Sequence, residues 1–187
     1  MHGPIRDPQL IDALDARPLR SFRGNVWRVV RVGRDPVEPS RAGGRWDRGG
    51  FDVLYTALEA DGAIAELDYH LRMQPVFPSK YRAEVHELAV ATERALYFDS
   101  LDELVPLGVD PSRYREPLYS RSQDIGDAAA FLGVAALVVP SARWPCQNVV
   151  LILDVEPAPP TVTVLGSREV DFLQWRNETR SKRLERK

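Results

Sequence analysis

Apolar and polar positions along this chain switch between a period near two and a period near 3.6, and the switches mark its elements. Pro8–Ala16 reads as a short opening helix. Val26–Val32 (VWRVVRV) is rich in valine and predicts a strand. The run DPVEPSRAGGRWDRGGF, with two prolines and two Gly-Gly pairs, has to be loop. Asp52–Thr56 predicts a second strand, and Thr56 followed three residues later by Glu59 is a capping-box pattern that opens a helix. Ala60, Ile64, Leu67 and Leu71 then form one apolar stripe, ending at Met73–Pro78. Tyr81–Ala89 and Ala95–Asp99 read as strands, Leu101–Val105 as a short helix or turn, and Ile125–Gly133 as a helix. Leu137–Pro140 and Val149–Val155 are β-branched apolar runs that predict central strands, followed by Thr161–Leu165. Val170–Lys187 reads as a helical tail, made basic by Arg176, Arg180, Lys182, Arg183, Arg186 and Lys187. Strands and helices do not alternate in long βαβ units, so the pattern predicts an α+β fold in a single domain.

Composition narrows the function classes. With 187 residues the chain suits one domain, and 44% hydrophobic against 28% charged residues is ordinary for a globular protein. A net charge of −2 gives no general attraction to nucleic acid or anionic membrane, so any anionic ligand must be held by locally placed cations. Cys146 is the only cysteine, which rules out an internal disulfide and suits a reducing cytosol. The first twenty residues carry charges and prolines where a signal peptide needs an apolar stretch, and no run approaches the length of a membrane helix. The expected location is cytoplasmic.

Several familiar sites are missing. There is no GxxxxGK[ST] loop, no GxGxxG after a strand, no HExxH and no GxSxG elbow. His2, His70 and His86 are too scattered to suggest a metal. What stands out is Gly43-Gly44-Arg45-Trp46-Asp47-Arg48-Gly49-Gly50. Paired glycines let backbone approach a ligand closely, and Arg45 supplies a planar fork of donors suited to phosphate. Glu66 lies at the edge of the helical stripe beside Leu67, in line with Ala63 and His70. Taken singly, each has a plain structural reading: a turn with a surface arginine and an anchoring tryptophan, and a solvated glutamate.

The runs WRVVR, GGRWDRGGFDVLYTA, AIAEL and VPSARWPCQNVVLIL, in that order, resemble the RES domain family over Phe22–Val155. The resemblance divides the chain into an N-terminal extension (1–21), a RES domain (22–166) and a basic helical tail (167–187). It implies an ADP-ribosyltransferase-like fold of the diphtheria-toxin kind, with a split β-sheet core and surrounding helices. It also implies a toxin of a toxin–antitoxin module, whose partner is an Xre-like helix-turn-helix antitoxin. Members of the family consume NAD+ by hydrolysis or phosphorolysis, without a metal, and one branch ADP-ribosylates a protein.

Carried over residue by residue, the family's strand arginine falls on Arg28 and its loop arginine on Arg45. The tyrosine falls on Tyr55, the glutamate on Glu66, the serine on Ser141 and the following asparagine on Asn148. The implied roles are Arg28 and Arg45 for the pyrophosphate and Tyr55 for the nicotinamide ring. Glu66 would stabilise the oxocarbenium-like ribose, and Ser141 would orient the ligand. Asn148 has the more structural part. Asp47 stands where many relatives carry asparagine and adds a negative charge near the expected pyrophosphate. Arg121, Gln123 and Asp124, ahead of the helix expected from Ile125, are further ligand candidates at a helix N-terminus. Asp127 reads as structural, and Trp27 and Trp144 as packing residues. Three functions stay open on these grounds: NAD+ cleavage, mono-ADP-ribosyl transfer to a protein, and a non-enzymatic binding module.

Overall fold

Alternation along three central strands decides the architecture. The structure, a computed structural model, describes residues 7–40, 42–75 and 80–185, with side chains up to residue 180. Its elements are α1 (Pro8–Asp15), β1 (Arg20–Arg31), β2 (Val53–Ala57), α2 (Ala60–Arg72), β3 (Ala83–Tyr97), α3 (Ser120–Phe131), β4 (Ala136–Pro140), β5 (Gln147–Ile152), β6 (Thr161–Glu169) and α4 (Phe172–Glu185), with short 3₁₀ turns between β3 and α3. In β2, β4 and β5, one set of alternate residues (Val53, Leu137, Val139, Val150, Ile152) packs against Leu10 and Leu14 of α1 and Ile125, Ala128 and Ala129 of α3. The other set (Leu54, Ala136, Val138, Val149, Leu151) packs against Phe22 and Val26 of β1 and Leu88 and Val90 of β3. The far side of β1 and β3, with Trp27, Val29 and Val85, meets Ile64 of α2 and Phe172 and Trp175 at the start of α4. The result is a mixed α+β domain in layers, with sheet buried on both faces.

All six strands belong to one sheet in the order β1-β2-β5-β4-β3-β6, and β1 also pairs with β3. The long strand β3 joins its two halves. From Ala83 to Ala95 it pairs antiparallel with β1, and from Glu84 to Ala91 with β6 on its other side. Only its end, Ala95–Tyr97, pairs with β4, in parallel. The two separate strands expected over Tyr81–Ala89 and Ala95–Asp99 are therefore one. At the polar run Thr92-Glu93-Arg94 the register with β1 shifts by one residue, between the pairs Phe22↔Thr92 and Arg20↔Ala95, and the strand continues through the irregularity.

Two helix starts also differ from expectation. Thr56 does not cap α2. It lies inside β2, where its buried hydroxyl donates to the Val149 carbonyl at 2.6 Å. The N-cap is Glu59, whose carboxylate makes no capping bond and instead accepts the Trp144 indole N–H at 2.9 Å. Helix α3 begins at Ser120, ahead of the expected Ile125. The strand expected to stop at Leu165 continues to Glu169. Part of the expected helix stop over Met73–Pro78 lies outside the described residues, as do the side chains of Lys182, Arg183, Arg186 and Lys187 in the tail.

Helix α4 is fastened to α2 through polar contacts, one of them to the buried Asp68. The Asp68 carboxylate accepts from Arg176 at 2.5 and 2.9 Å and from Arg72 at 2.8 Å, and the Trp175 indole donates to Asp61. No helix among the described residues is long and apolar enough to cross a membrane.

On the opposite face, Gly126 lets α3 touch the loop ahead of β2 directly. A Cβ at this position would sit 1.7 Å from the Trp46 carbonyl oxygen. Gly126→Ala is expected to destabilise the fold by about 1–3 kcal/mol, because backbone on one side or the other must retreat. A urea denaturation midpoint that falls at unchanged slope checks this.

Candidate functional site

Strands β1 and β2 meet at a single residue pair, Trp27↔Ala57. Beyond it the antiparallel register would place Arg28 opposite Thr56 and Val29 opposite Tyr55, but the strands part. A cavity of about 300 Å³ opens in the gap, lined by those four residues, by Ser40 and Gly43–Trp46 of the preceding loop, and by Tyr119 and Asn148. Helix α2 closes the far wall with Ala63, Glu66, Leu67 and His70, one helical line. The cavity is at the lower end of the range of ligand pockets.

The loop that forms one wall is held from below. Asp47 has no exposed surface. Its carboxylate accepts the Tyr55 hydroxyl at 2.5 Å and the Gly49 N–H at 2.8 Å. The same hydroxyl oxygen accepts the Trp46 N–H at 3.0 Å. Burial first, and then the adjacent carboxylate, push the Tyr55 hydroxyl far above its ordinary pKa, so it remains a donor. Gly44 passes so close to this ring that a Cβ would lie 2.5 Å from the Tyr55 oxygen, which explains the second glycine of the pair. From the other side, Gln123 donates to the carbonyls of Gly44 and Asp47, and Arg48 spans Asp124 and Asp127 at 2.7 and 2.5 Å.

Glu66 is half-buried and partly held. One of its oxygens, Oε1, accepts both the Ser141 hydroxyl at 2.8 Å and the Asn148 amide at 3.0 Å. Ser141 is fixed in turn, because its Oγ accepts the backbone N–H groups of Arg143 and Trp144. No described protein group donates to Oε2. Asn148 Oδ1 is buried and has no hydrogen-bond partner among the described residues. His70, one turn along α2, sits at the rim; desolvation lowers its pKa against the opposing pull of Glu66.

Two arginines line the same cavity and, among the described residues, form no salt bridge. Arg28 is 8% exposed, and its one hydrogen bond among the described residues is to the Pro36 carbonyl at 3.0 Å. Desolvation by burial lowers its pKa to about 10, which leaves it charged at neutral pH. Arg45 makes no hydrogen bond or salt bridge among the described residues; its guanidinium lies over the rings of Tyr114 and Tyr119 at 4.6 and 4.5 Å.

The fold thus brings Arg28, Arg45, Tyr55, Glu66 and Asn148 to one cavity, with Ser141 behind Glu66. Asp47 supports the loop from inside and does not line the cavity. Arg121, Gln123 and Asp124 lie within α3, not ahead of it, and all three are engaged: Arg121 with the Leu107 carbonyl and Asp7, Gln123 with the loop, Asp124 with Arg48. Asp127 pairs with Arg48. Trp144 packs against Trp175 with ring centroids 5.9 Å apart, and Trp27 lies against the third core cluster. Sequence reasoning missed Tyr114 and Tyr119, which come from a proline-rich stretch with no periodicity to mark them.

Residues 25–173 match the RES domain family. The chain belongs to that family. Among solved structures, a chain from the crystal structure of the M. tuberculosis MbcT–MbcA toxin–antitoxin complex is similar, with a TM-score of 0.78 and 20% sequence identity, over 91% of this chain and 97% of that one. At this identity the likeness is one of fold. No match was found among curated proteins. The RES match spans β1 to the first turn of α4 and includes every cavity-lining residue.

Tyr55→Phe removes the donor to a fully buried carboxylate. The expected cost is about 1–3 kcal/mol, the desolvation penalty of an unmet buried group. Thermal or urea unfolding of the purified variant measures it.

Proposed function

We propose that this RES domain cleaves the nicotinamide–ribose bond of NAD+ and acts as the toxin of a toxin–antitoxin module. The observation that carries the reading is the charge set of the cavity: two arginines in no salt bridge among the described residues share its lining with one carboxylate whose second oxygen no described group bonds. NAD+ has the complementary pattern, an anionic pyrophosphate joined to a ribose that becomes cationic as nicotinamide leaves. Arg28 and Arg45 hold the pyrophosphate oxygens. Glu66 Oε2 stabilises positive charge developing at the ribose carbon. Ser141 and Asn148 hold that carboxylate in place by donating to Oε1. The ring of Tyr55 forms part of the nicotinamide wall, while its hydroxyl keeps the loop in place.

Family membership supports an NAD+-directed activity. The likeness to a chain of a toxin–antitoxin complex supports a cognate antitoxin, for which we propose the Xre-like helix-turn-helix class. The parting of β1 from β2 and the joining of the two sheet halves by β3 support kinship with the ADP-ribosyltransferase fold. No metal is needed in this scheme, because Glu66 and the arginines supply the electrostatic stabilisation themselves.

Purified protein, freed of any antitoxin, is expected to release nicotinamide from NAD+, as followed by chromatography. The co-product names the acceptor: ADP-ribose for water, its 1-phosphate for inorganic phosphate, a labelled band in lysate for a protein. Glu66→Gln should lower the rate by about 10²–10³-fold. NAD+ left intact with and without phosphate would refute the reading. Ser141→Ala should lower kcat more than it changes KM, because it releases Glu66 and leaves the arginines in place.

A further inference from the structure

Two arginines three residues apart in the cavity loop are held in opposite ways. Arg48 is neutralised by two carboxylates, Asp124 and Asp127. Arg45 pairs with no carboxylate among the described residues, and instead lies over the faces of Tyr114 and Tyr119 at 4.6 and 4.5 Å from the ring centroids, well within cation–π range. The difference matters chemically. A carboxylate occupies the N–H edge of a guanidinium and cancels its charge, whereas an aromatic face contacts the plane and leaves the edge donors and the charge available.

The two rings are not loose surface groups. Tyr114 is 4% exposed, and its hydroxyl donates to the Pro140 carbonyl at 2.8 Å, the residue before Ser141. Tyr119 lines the cavity and forms the N-cap position of α3, the helix that also anchors the loop through Gln123. The charges of Arg45 and Glu66 both act on Tyr114, and those of Glu66, Arg143 and Arg45 act on His70.

We infer that Tyr114 and Tyr119 form an aromatic clamp that positions Arg45 and leaves its N–H edge free for an oxyanion of the pyrophosphate class. They are positioning residues, acting through Arg45. The clamp rests on the reading of the cavity as a dinucleotide site but extends to residues that no motif of the family brought into view. Because Tyr114 is bonded to Pro140, it also ties the anion-binding side of the cavity to the strand end that carries Ser141, so the distance from Arg45 to Glu66 is set by packing.

Tyr119, being half-exposed, is the substitution to make. Titrations by calorimetry with inorganic pyrophosphate and with ADP-ribose, which keeps the pyrophosphate and lacks nicotinamide, read the anion subsite without turnover. Tyr119→Leu is expected to weaken both ligands about three- to tenfold, in line with the strength of a partly exposed cation–π contact. Tyr119→Phe is expected to bind as the native protein does, and Tyr119→Leu should raise KM for NAD+ with little change in kcat. Equal affinity of the native protein and Tyr119→Leu for both ligands would overturn the clamp and leave NAD+ cleavage standing. Pyrophosphate binding that weakens in Tyr119→Leu, in a protein that binds neither ADP-ribose nor NAD+, would support the clamp and overturn the dinucleotide reading. Absence of pyrophosphate and ADP-ribose binding in the native protein would overturn the clamp.

Discussion

The separation of β1 from β2 after one residue pair is the constraint from which the cavity follows. Continued pairing would have placed Arg28 against Thr56 and closed the space between the sheet halves. As the strands diverge, groups that would have formed a ladder become the walls of a cleft, and Arg28 is left buried with no salt bridge among the described residues. The separated strands are kept in place by elements outside the pair. β1 is zipped to β3 along its length, and β2 is zipped to β5 from Val53 to Ala57. Each strand pairs along one edge with a different neighbour, so its position is fixed while its other edge faces the gap.

The loop across the gap depends on an internal carboxylate. Asp47 takes the Tyr55 hydroxyl and the Gly49 N–H inside the protein, so its negative charge is spent on loop shape and kept away from the cavity lining. This resolves what an aspartate does beside a site expected to bind an anion. The remaining polar groups divide into those satisfied by protein and those left unmet. Arg48, Gln123 and Ser141 are satisfied, while Arg45, Glu66 Oε2 and Asn148 Oδ1 keep bonding capacity. Unmet polar capacity gathered in one cavity points to a ligand site, because a buried polar group normally finds its partner within the fold; the two ring nitrogens of His86 on β3 are also buried without partners among the described residues, but lie outside the cavity lining.

Local pattern carried far in this protein where burial is one-sided or complete. The stripe Ala60, Ile64, Leu67 and Leu71 and the β-branched runs of β4 and β5 announced their elements, since both signals arise from side chains sorting between water and core. It failed where a residue's partner is distant. Thr56 and Glu59 match a capping box locally, but Thr56 is claimed by Val149, 93 residues away, and Glu59 by Trp144. The polar run inside β3 divided one strand into two in the sequence pattern, because the pairing with β1 that carries it through a register shift is not a local property.

Sequence alone therefore determined the element types, the α+β class, the shortage of general positive charge, and the ordered motifs from Arg28 to Asn148. It could not assign their geometry, because that is set by contacts between residues tens of positions apart. Tertiary structure decided that Ser141 stands behind Glu66, that Tyr55 serves the loop through its hydroxyl, and that Arg121 and Asp124 are spent on structural pairs. It also supplied Tyr114 and Tyr119, whose meaning comes only from where the guanidinium of Arg45 rests. A hydrogen bond or a cation–π contact depends on distance and angle, and those exist only once the chain has packed.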